Sequence, residues 1–394
     1  MDTRLLRHYE AELAFLREMG AEFAEAYPKI ASRLGMEGTD VLDPYVERLL
    51  EGSAFLSART QLELELQFPA FTQHLLEIVY PHLLAPLPSM TIVRFEPDAA
   101  QGGLESGVAL PRGTQLRSRL VEGEQTACLY RTSQEVRLWP LEIAEVAYID
   151  SRGELVAAGL GANQAAKAAI RLRLRRVDDG PLSDIECDDL TVFLAGAQGE
   201  RWRLYEVLSN NACGLVGRST DRRADWIEML EGTVEPRGFE PDEALLPYPG
   251  QSFDGYRLLQ EYFAIPERFF FQRLSGLRPA FRRCVDRTMD LFILLDEQAP
   301  DLERSLAPES FELHAVPAIN LFDKRCDRVQ IRGTEYEHHV VPDRTAPMDY
   351  EIHHLKSVVG ISSEGGEDTH FRPFYSADDF TPAGESHDAF YAIR

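Results

Sequence analysis

The first ninety residues constrain the fold most, because they read as long amphipathic helices with no strand signal among them. Leu6, Tyr9, Leu13, Leu16, Met19, Phe23 and Tyr27 recur in steps of three and four, which places them on one stripe of a helix. Arg7, Glu10, Glu12, Arg17, Glu22 and Glu25 fall mostly outside that stripe. Asp2 or Thr3 can accept from the free N–H groups of the first turn, and Pro28 stops the run. A helix of about 25 residues spans about 37 Å, long for an element inside one small domain.

The next helix has stronger punctuation. Asp43 stands where an N-cap belongs, and Pro44 at the first helical position, where its missing N–H costs nothing. From 45 to about 68 the apolar positions Val46, Leu49, Leu50, Phe55, Leu56, Leu62, Leu64 and Leu66 occupy more than one face, so more than one neighbour should cover it. Pro69 is expected to end this helix and open a third, carrying Phe71, Leu75, Ile78, Val79 and Leu83 up to the break at Pro86 and Pro88. Two readings stand side by side: a plain helical core, or a bundle completed by other chains. Under the second, Leu6, Tyr9, Leu13, Leu16 and Phe23 are the candidate partner contacts.

From Ser89 the apolar period changes to two. Strands are expected over 90–95, 115–120, 128–132, 136–138, 190–194 and 289–295. Short helices are expected around Trp202–Leu208, 256–263 and 301–306. In 170–176, Ile170, Leu172 and Leu174 alternate with Arg171, Arg173 and Arg175, as in a half-buried strand or an arginine-bearing face for an acidic partner. The Pro/Gly/acid-rich passage 235–253 cannot be regular for long, yet Phe239, Leu245, Leu246, Tyr248 and Phe253 need somewhere to bury. It is expected to be packed and ordered, with Leu245 and Tyr248 as further candidate partner contacts. Later strands are expected over 311–316, 329–331, 336–341, 350–353 and 358–361, and the apolar ending Phe390–Arg394 reads as cut inside a domain. The fold class expected is α+β, multidomain and elongated. It comprises a helical region over 1–88, a first mostly antiparallel β region over 89–300 with short helices, and a second over 301–394.

The 394 residues carry a formal net charge of −24, which excludes a general nucleic-acid binder and disfavours anionic membranes. Five cysteines with no CxxC spacing point to a reducing compartment. The N-terminal segment has no apolar core of a secretory signal, and no run is long enough to span a bilayer, so a cytoplasmic location is expected. P-loop, HExxH and GxSxG patterns are absent, and Gly159–Gly161 lacks the third glycine of a dinucleotide loop. The pairs His338/His339 and His353/His354 are the nearest approach to a metal site, but neighbours on a strand point to opposite faces. No catalytic, cofactor or metal residues are therefore assigned. The alternatives to a scaffold are a β-rich metal-dependent hydrolase using 338–354 or a free-standing ligand-binding module.

Several blocks in one order carry a resemblance. They are DPYVERLLEGSAFLSARTQLELE (43–65), LLEIVYPHLLAPLPSMTIVRF (75–95), LPRGTQLRS (110–118), the passage and helix over 242–277, FELHAVPAINLFDKRCDRVQI (311–331), EYEHHVVPDRTAPMDYEIH (335–353) and FRPFYS (371–376). The chain resembles the TssF (VasA/ImpG) family of type VI secretion system baseplate subunits. That resemblance implies a structural wedge protein of a contractile injection system, without catalysis or cofactor. It also implies assembly with a TssG-like subunit and a second copy of itself, contacts with TssK and TssE, and a place around the VgrG spike hub from which sheath and tube grow. It implies a cytoplasmic position in a baseplate docked at an inner-membrane complex.

Overall fold

The computed structural model of the chain describes residues 2–38, 40–98, 103–120, 122–123, 125–221, 226–247, 253–331, 334, 337–361, 368–373 and 389–393. The chain divides into two compact units, Met1–Ala85 with Ser357–Arg394, and Pro86–Lys356.

In the first unit, helix α1 (Thr3–Ala26) is capped by the Asp2 carboxylate, which accepts from the Arg4 N–H at 3.0 Å. It closes with Tyr27 N–H on the Phe23 carbonyl, and Pro28 opens a separate short turn of helix. A return through Gly35 and the hairpin Met36–Glu37 with Asp40–Val41 leads to α2. Gly35 has φ 64°, and a Cβ there would lie 2.9 Å from the Asp43 nitrogen, so only glycine fits. Helix α2 (Pro44–Val79) has 36 residues, about 54 Å, and starts on the expected Asp43 cap. It does not stop at Pro69. A mid-helix proline forfeits one hydrogen bond and costs about 3 kcal/mol, but nothing after it supplies a turn. The helix continues until Tyr80 N–H closes on Leu76 and Pro81 follows. The two long helices run antiparallel, joined by Arg17–Glu47 at 3.2 Å and by His8 and Arg7 on Glu65. Val358–Gly360 pairs antiparallel with Thr369–Pro373, which pairs parallel with Phe390–Tyr391.

The second unit is built mainly of antiparallel strands. In chain order they begin with β1 (Met90–Arg94), β2 (Gln115–Arg117), β3 (Leu129–Thr132), β4 (Leu141–Ile149) and β5 (Ala168–Arg176). They continue with β6 (Leu190–Leu194), β7 (Ala212–Ser219), β8 (Ile227–Leu230), β9 (Val234–Arg237) and β10 (Phe271–Leu274). The last are β11 (Thr288–Leu295), β12 (Phe311–Leu313) and β13 (Ala315–Ile319). One sheet has the order β8-β7-β11-β5-β4, a second β9-β10-β6-β12, and a third β1-β13-β3-β2. Pairs β6–β12 and β1–β13 therefore join residues on both sides of position 300. The main core lies between the first two sheets: Ile170, Leu172, Leu291 and Ile293 from one, Val192, Leu194, Phe271 and Leu313 from the other. The helix α3 (Gln198–Asn211) adds Leu204, Val207 and Leu208 to that core.

On β5 the alternation holds: Ile170, Leu172 and Leu174 face the core, while the arginines lie on the opposite face. Those arginines are already neutralised within the sheet. Arg171 and Arg173 reach Glu145 on β4 at 3.0 and 2.7 Å, Arg173 reaches Asp290 on β11 at 2.8 Å, and Arg175 pairs with Glu142. The strands expected at 329–331 and 350–353, and in the described part of 336–341, are not formed. Side chains organise that stretch instead. Asp327 accepts from Arg344 N–H at 2.8 Å, Arg344 donates to the Arg328 carbonyl at 2.7 Å, and Lys324 sits 4.2 Å over the Tyr350 ring.

The expected strand over 311–316 breaks at His314, which adopts φ 60° and sends the chain from the second sheet into the third. Its carbonyl accepts from Phe95 N–H at 3.1 Å and its Nε2 from Trp139 N–H at 3.1 Å, which fixes the neutral Nδ1–H tautomer. Burial, with Arg94 nearby, lowers its pKa from 6.5 to about 4. A depressed histidine pKa makes the unfolded chain take up a proton before the folded one. Stability from this group is thus full above about pH 6.5 and falls as pH drops to about 4, by on the order of 3 kcal/mol. Urea unfolding midpoints measured across that window should show this slope in the wild type. His314→Asn, which tolerates the left-handed backbone, should lack it. A constant difference between the two proteins from pH 6.5 to 4 would contradict the assignment.

Candidate partner-binding surfaces

The seam between α1 and α2 is narrow. On α2 it runs through Glu47, Ala54, Ala58 and Glu65, in steps of seven, four and seven, and both alanines are fully buried. Small side chains let the helices approach closely but bury little area, so the large residues lie elsewhere. On α1, Tyr9, Leu13 and Leu16 are half-buried along the α2 side, whereas Leu6 and Phe23 are exposed together with Phe15 and Met19. On α2, roughly opposite the alanine seam, Leu49 is 73% exposed and Leu56 63%, and the stripe continues through Leu64, Phe68, Phe71 and Leu75. The three-, four-, seven- and eight-residue steps of that stripe are visible in the sequence, but periodicity alone does not say which of two apolar faces meets the neighbouring helix. Among the described residues no helix is long and apolar enough to cross a membrane.

The remaining candidates lie in the second unit. Leu245 is 5% exposed and packs with Leu246, Ile265 and Ile319, so its side chain serves the interior of this chain. Tyr248 lies outside the described residues. Phe253, expected to help bury the passage, is exposed.

What holds the passage is a buried ionic network on the helix α4 (Asp254–Ala264). Glu261 has no solvent exposure. Its Oε1 accepts from the backbone N–H groups of Leu245 and Leu246 at 3.1 and 2.9 Å, its Oε2 accepts from Arg257 at 3.1 Å, and it forms an ion pair with Arg268. Arg257 also pairs with Asp254 at 2.7 Å and holds its carboxyl below the ordinary range. Arg268 donates to the carbonyls of Gly238 and Glu243, and burial with Arg257 alongside lowers its pKa. Glu243 accepts from Gly238 N–H at 2.6 Å and from Arg237. The hydrogen bonds of this network all tie together parts of this chain. Among the described residues no three His, Cys, Asp or Glu side chains converge as metal ligands, and His353 and His354 contact each other through Nδ1 at 2.9 Å.

Comparison with known proteins gives these surfaces a context. The family described as type VI secretion system, TssF, matches residues 1–394. The chain is 45% identical over 395 residues to type VI secretion system component TssF1 of Pseudomonas aeruginosa, covering 100% of this chain and 63% of that protein. Its fold is similar to a chain of the TssK–TssF–TssG baseplate subcomplex of the type VI secretion system, solved by cryo-electron microscopy. The TM-score is 0.68 at 27% identity, over 89% of this chain and 62% of that one. The chain thus spans just under two thirds of the length of the relatives it matches.

Removing one member of a buried charge cluster leaves the others uncompensated. Glu261→Ala should lower unfolding stability by about 3–5 kcal/mol, whereas Arg175→Ala, at the exposed end of the sheet's ion-pair ladder, should cost under about 1 kcal/mol. Thermal melts of the two variants check the contrast, and equal losses would overturn this account of the network.

Proposed function

Because the chain belongs to the TssF family of type VI secretion system proteins, we propose that it is a structural subunit of the type VI baseplate wedge, with no catalytic role of its own. In this reading it assembles with a TssG-like subunit and a second copy of itself. It contacts TssK and TssE and surrounds the VgrG spike hub, supporting growth of sheath and tube from a baseplate on the cytoplasmic side of the inner membrane. The observation that carries the reading is the identity to a TssF protein along the whole chain, at 45%.

The helical hairpin supports it physically. Two antiparallel helices that meet along an alanine seam and leave Leu49, Leu56, Leu64 and Phe68 outward have the form of an incomplete bundle. Helices of a partner subunit would complete it, and interfaces of that kind resemble a domain core cut in half. On α1 the exposed Leu6 and Phe23 would contribute, with Tyr9, Leu13 and Leu16 half-buried beneath them.

Co-expression with the TssG-like subunit should give a discrete complex with a raised melting temperature, since a partner that binds only the folded state stabilises it. Leu49→Asp with Leu56→Asp, at exposed positions, should change the melt of the isolated chain little, by about 0.5 kcal/mol per site or less. It should weaken the complex by about thirtyfold or more, as loss of central apolar anchors does. Undiminished co-purification of the double variant, or a monodisperse chain whose melting ignores the partner, would overturn the reading.

A further inference from the structure

Helix α4 is inside out. Its charged residues Arg257 and Glu261 are buried, and its apolar residues Leu259, Tyr262 and Phe263 face outward, Phe263 with 81% of its surface exposed. The outward rings of Tyr262, Phe263 and Trp202 form one aromatic patch, and the buried Phe269 ring links Tyr262 to the exposed Phe239. Tyr262 lies 5.4 Å from Phe263, 6.3 Å from Trp202 of α3 and 6.3 Å from Phe269, which in turn lies 5.2 Å from the exposed Phe239. Single exposed apolar residues are ordinary, but a contiguous patch of this kind with a polar border marks an interaction site.

The chemistry around the patch selects what covers it. Glu240, adjacent to Phe239, and Asp242 in the following turn are exposed and pair with no cation among the described residues. Beneath the patch, guanidinium groups already stack on buried rings that touch it: Arg268 lies 4.8 Å from the Phe269 centroid and Arg201 5.5 Å from that of Phe270. The rings that remain outward have the same electron-rich faces, and exposed carboxylates stand beside Phe239. A second copy of a chain with net charge −24 would set acid against acid, and an anionic bilayer would be repelled in the same way.

We infer that the outward face of α4, with Trp202 and Phe239, is a docking site for a basic amphipathic segment of a partner protein. Its apolar side chains pack on Leu259 and Phe263, while its arginines or lysines stack on Tyr262 and Trp202 and pair with Glu240 and Asp242. Electrostatic complementarity sets the orientation and the apolar contact sets the lifetime. This surface belongs to the second unit, and the proposal does not depend on what completes the hairpin bundle.

A synthetic helical peptide with a leucine face flanked by arginines, and its twin with glutamates for the arginines, are the probes. Binding to the full chain is measured by fluorescence anisotropy at about 0.15 M salt, where charges are screened beyond about 8 Å. The arginine peptide is expected to bind at least about tenfold more tightly than the glutamate twin. Leu259→Ser with Phe263→Ser should weaken it about tenfold, as should Glu240→Lys with Asp242→Lys. Leu49→Asp with Leu56→Asp on the hairpin should leave it unchanged. Phe263→Ser alone, at the most exposed position, serves if the double variant melts early. Equal binding of the two peptides, or affinity indifferent to the α4 changes, overturns the proposal. Self-association of the chain that Phe263→Ser abolishes would also overturn it, in favour of a second copy.

Discussion

Glu261 is the side chain on which the second unit's least regular part depends. A carboxylate with no solvent exposure stays ionised only if polar and cationic groups surround its oxygens, and those groups here come from three separate segments. The Leu245 and Leu246 amides belong to the proline-rich passage, Arg257 to α4 itself, and Arg268 to the turn beyond it. One buried charge thus decides where the passage lies and which side of α4 turns inward. It also sets Leu246 and Ile265 against Ile319 of the third sheet. The outward aromatic face follows from the same fact. On an eleven-residue helix, burying the charged stripe leaves the apolar stripe nowhere to go but out.

The helical hairpin leaves apolar surface outward for a different reason. Hydrophobic gain scales with the area removed from water, and an alanine seam removes little. Ala54 and Ala58 set a close helix approach, and Arg17–Glu47 and His8–Glu65 fix its register, but none of these groups covers a leucine. In the first case buried polarity displaces apolar side chains; in the second, a seam too small to hold them does. Both leave apolar side chains outward on these elements.

What was legible in the sequence is what local chemistry decides. Asp2, Asp43 and Pro44 act within one turn of their own helix, and the arginine alternation of β5 follows from the two-residue repeat of any strand. What was not legible depends on distant contacts. Pro69 is a helix breaker by propensity, but a single local cost does not end a 36-residue helix. His314 takes a glycine-like backbone because Trp139 and Phe95 hold it there, and no neighbouring residue announces them. Pro236 made its surroundings look irregular, yet it lies in β9, an edge strand whose outer side needs no N–H donor. Leu245 illustrates the limit for candidate contacts: apolarity in an acidic loop reads equally well as outward or inward, and here the inward carboxylate of Glu261 settles the matter.

Charge completes the picture. The densest cationic run, Arg171, Arg173 and Arg175, is consumed by Glu142, Glu145 and Asp290 within its own sheet, so it does not offset the −24 elsewhere on the surface. A strongly acidic chain with two outward apolar surfaces meets opposing forces when it encounters its own copies. Apolar contact favours association only once surfaces touch, whereas like-charge repulsion acts from about 8 Å at physiological salt. Repulsion therefore acts first and disfavours indiscriminate sticking between identical chains. A partner that brings cations to the rim reverses the sign of that outer term while keeping the inner one. The same stripes that would be aggregation liabilities on a neutral protein thereby become selective for partners of opposite charge.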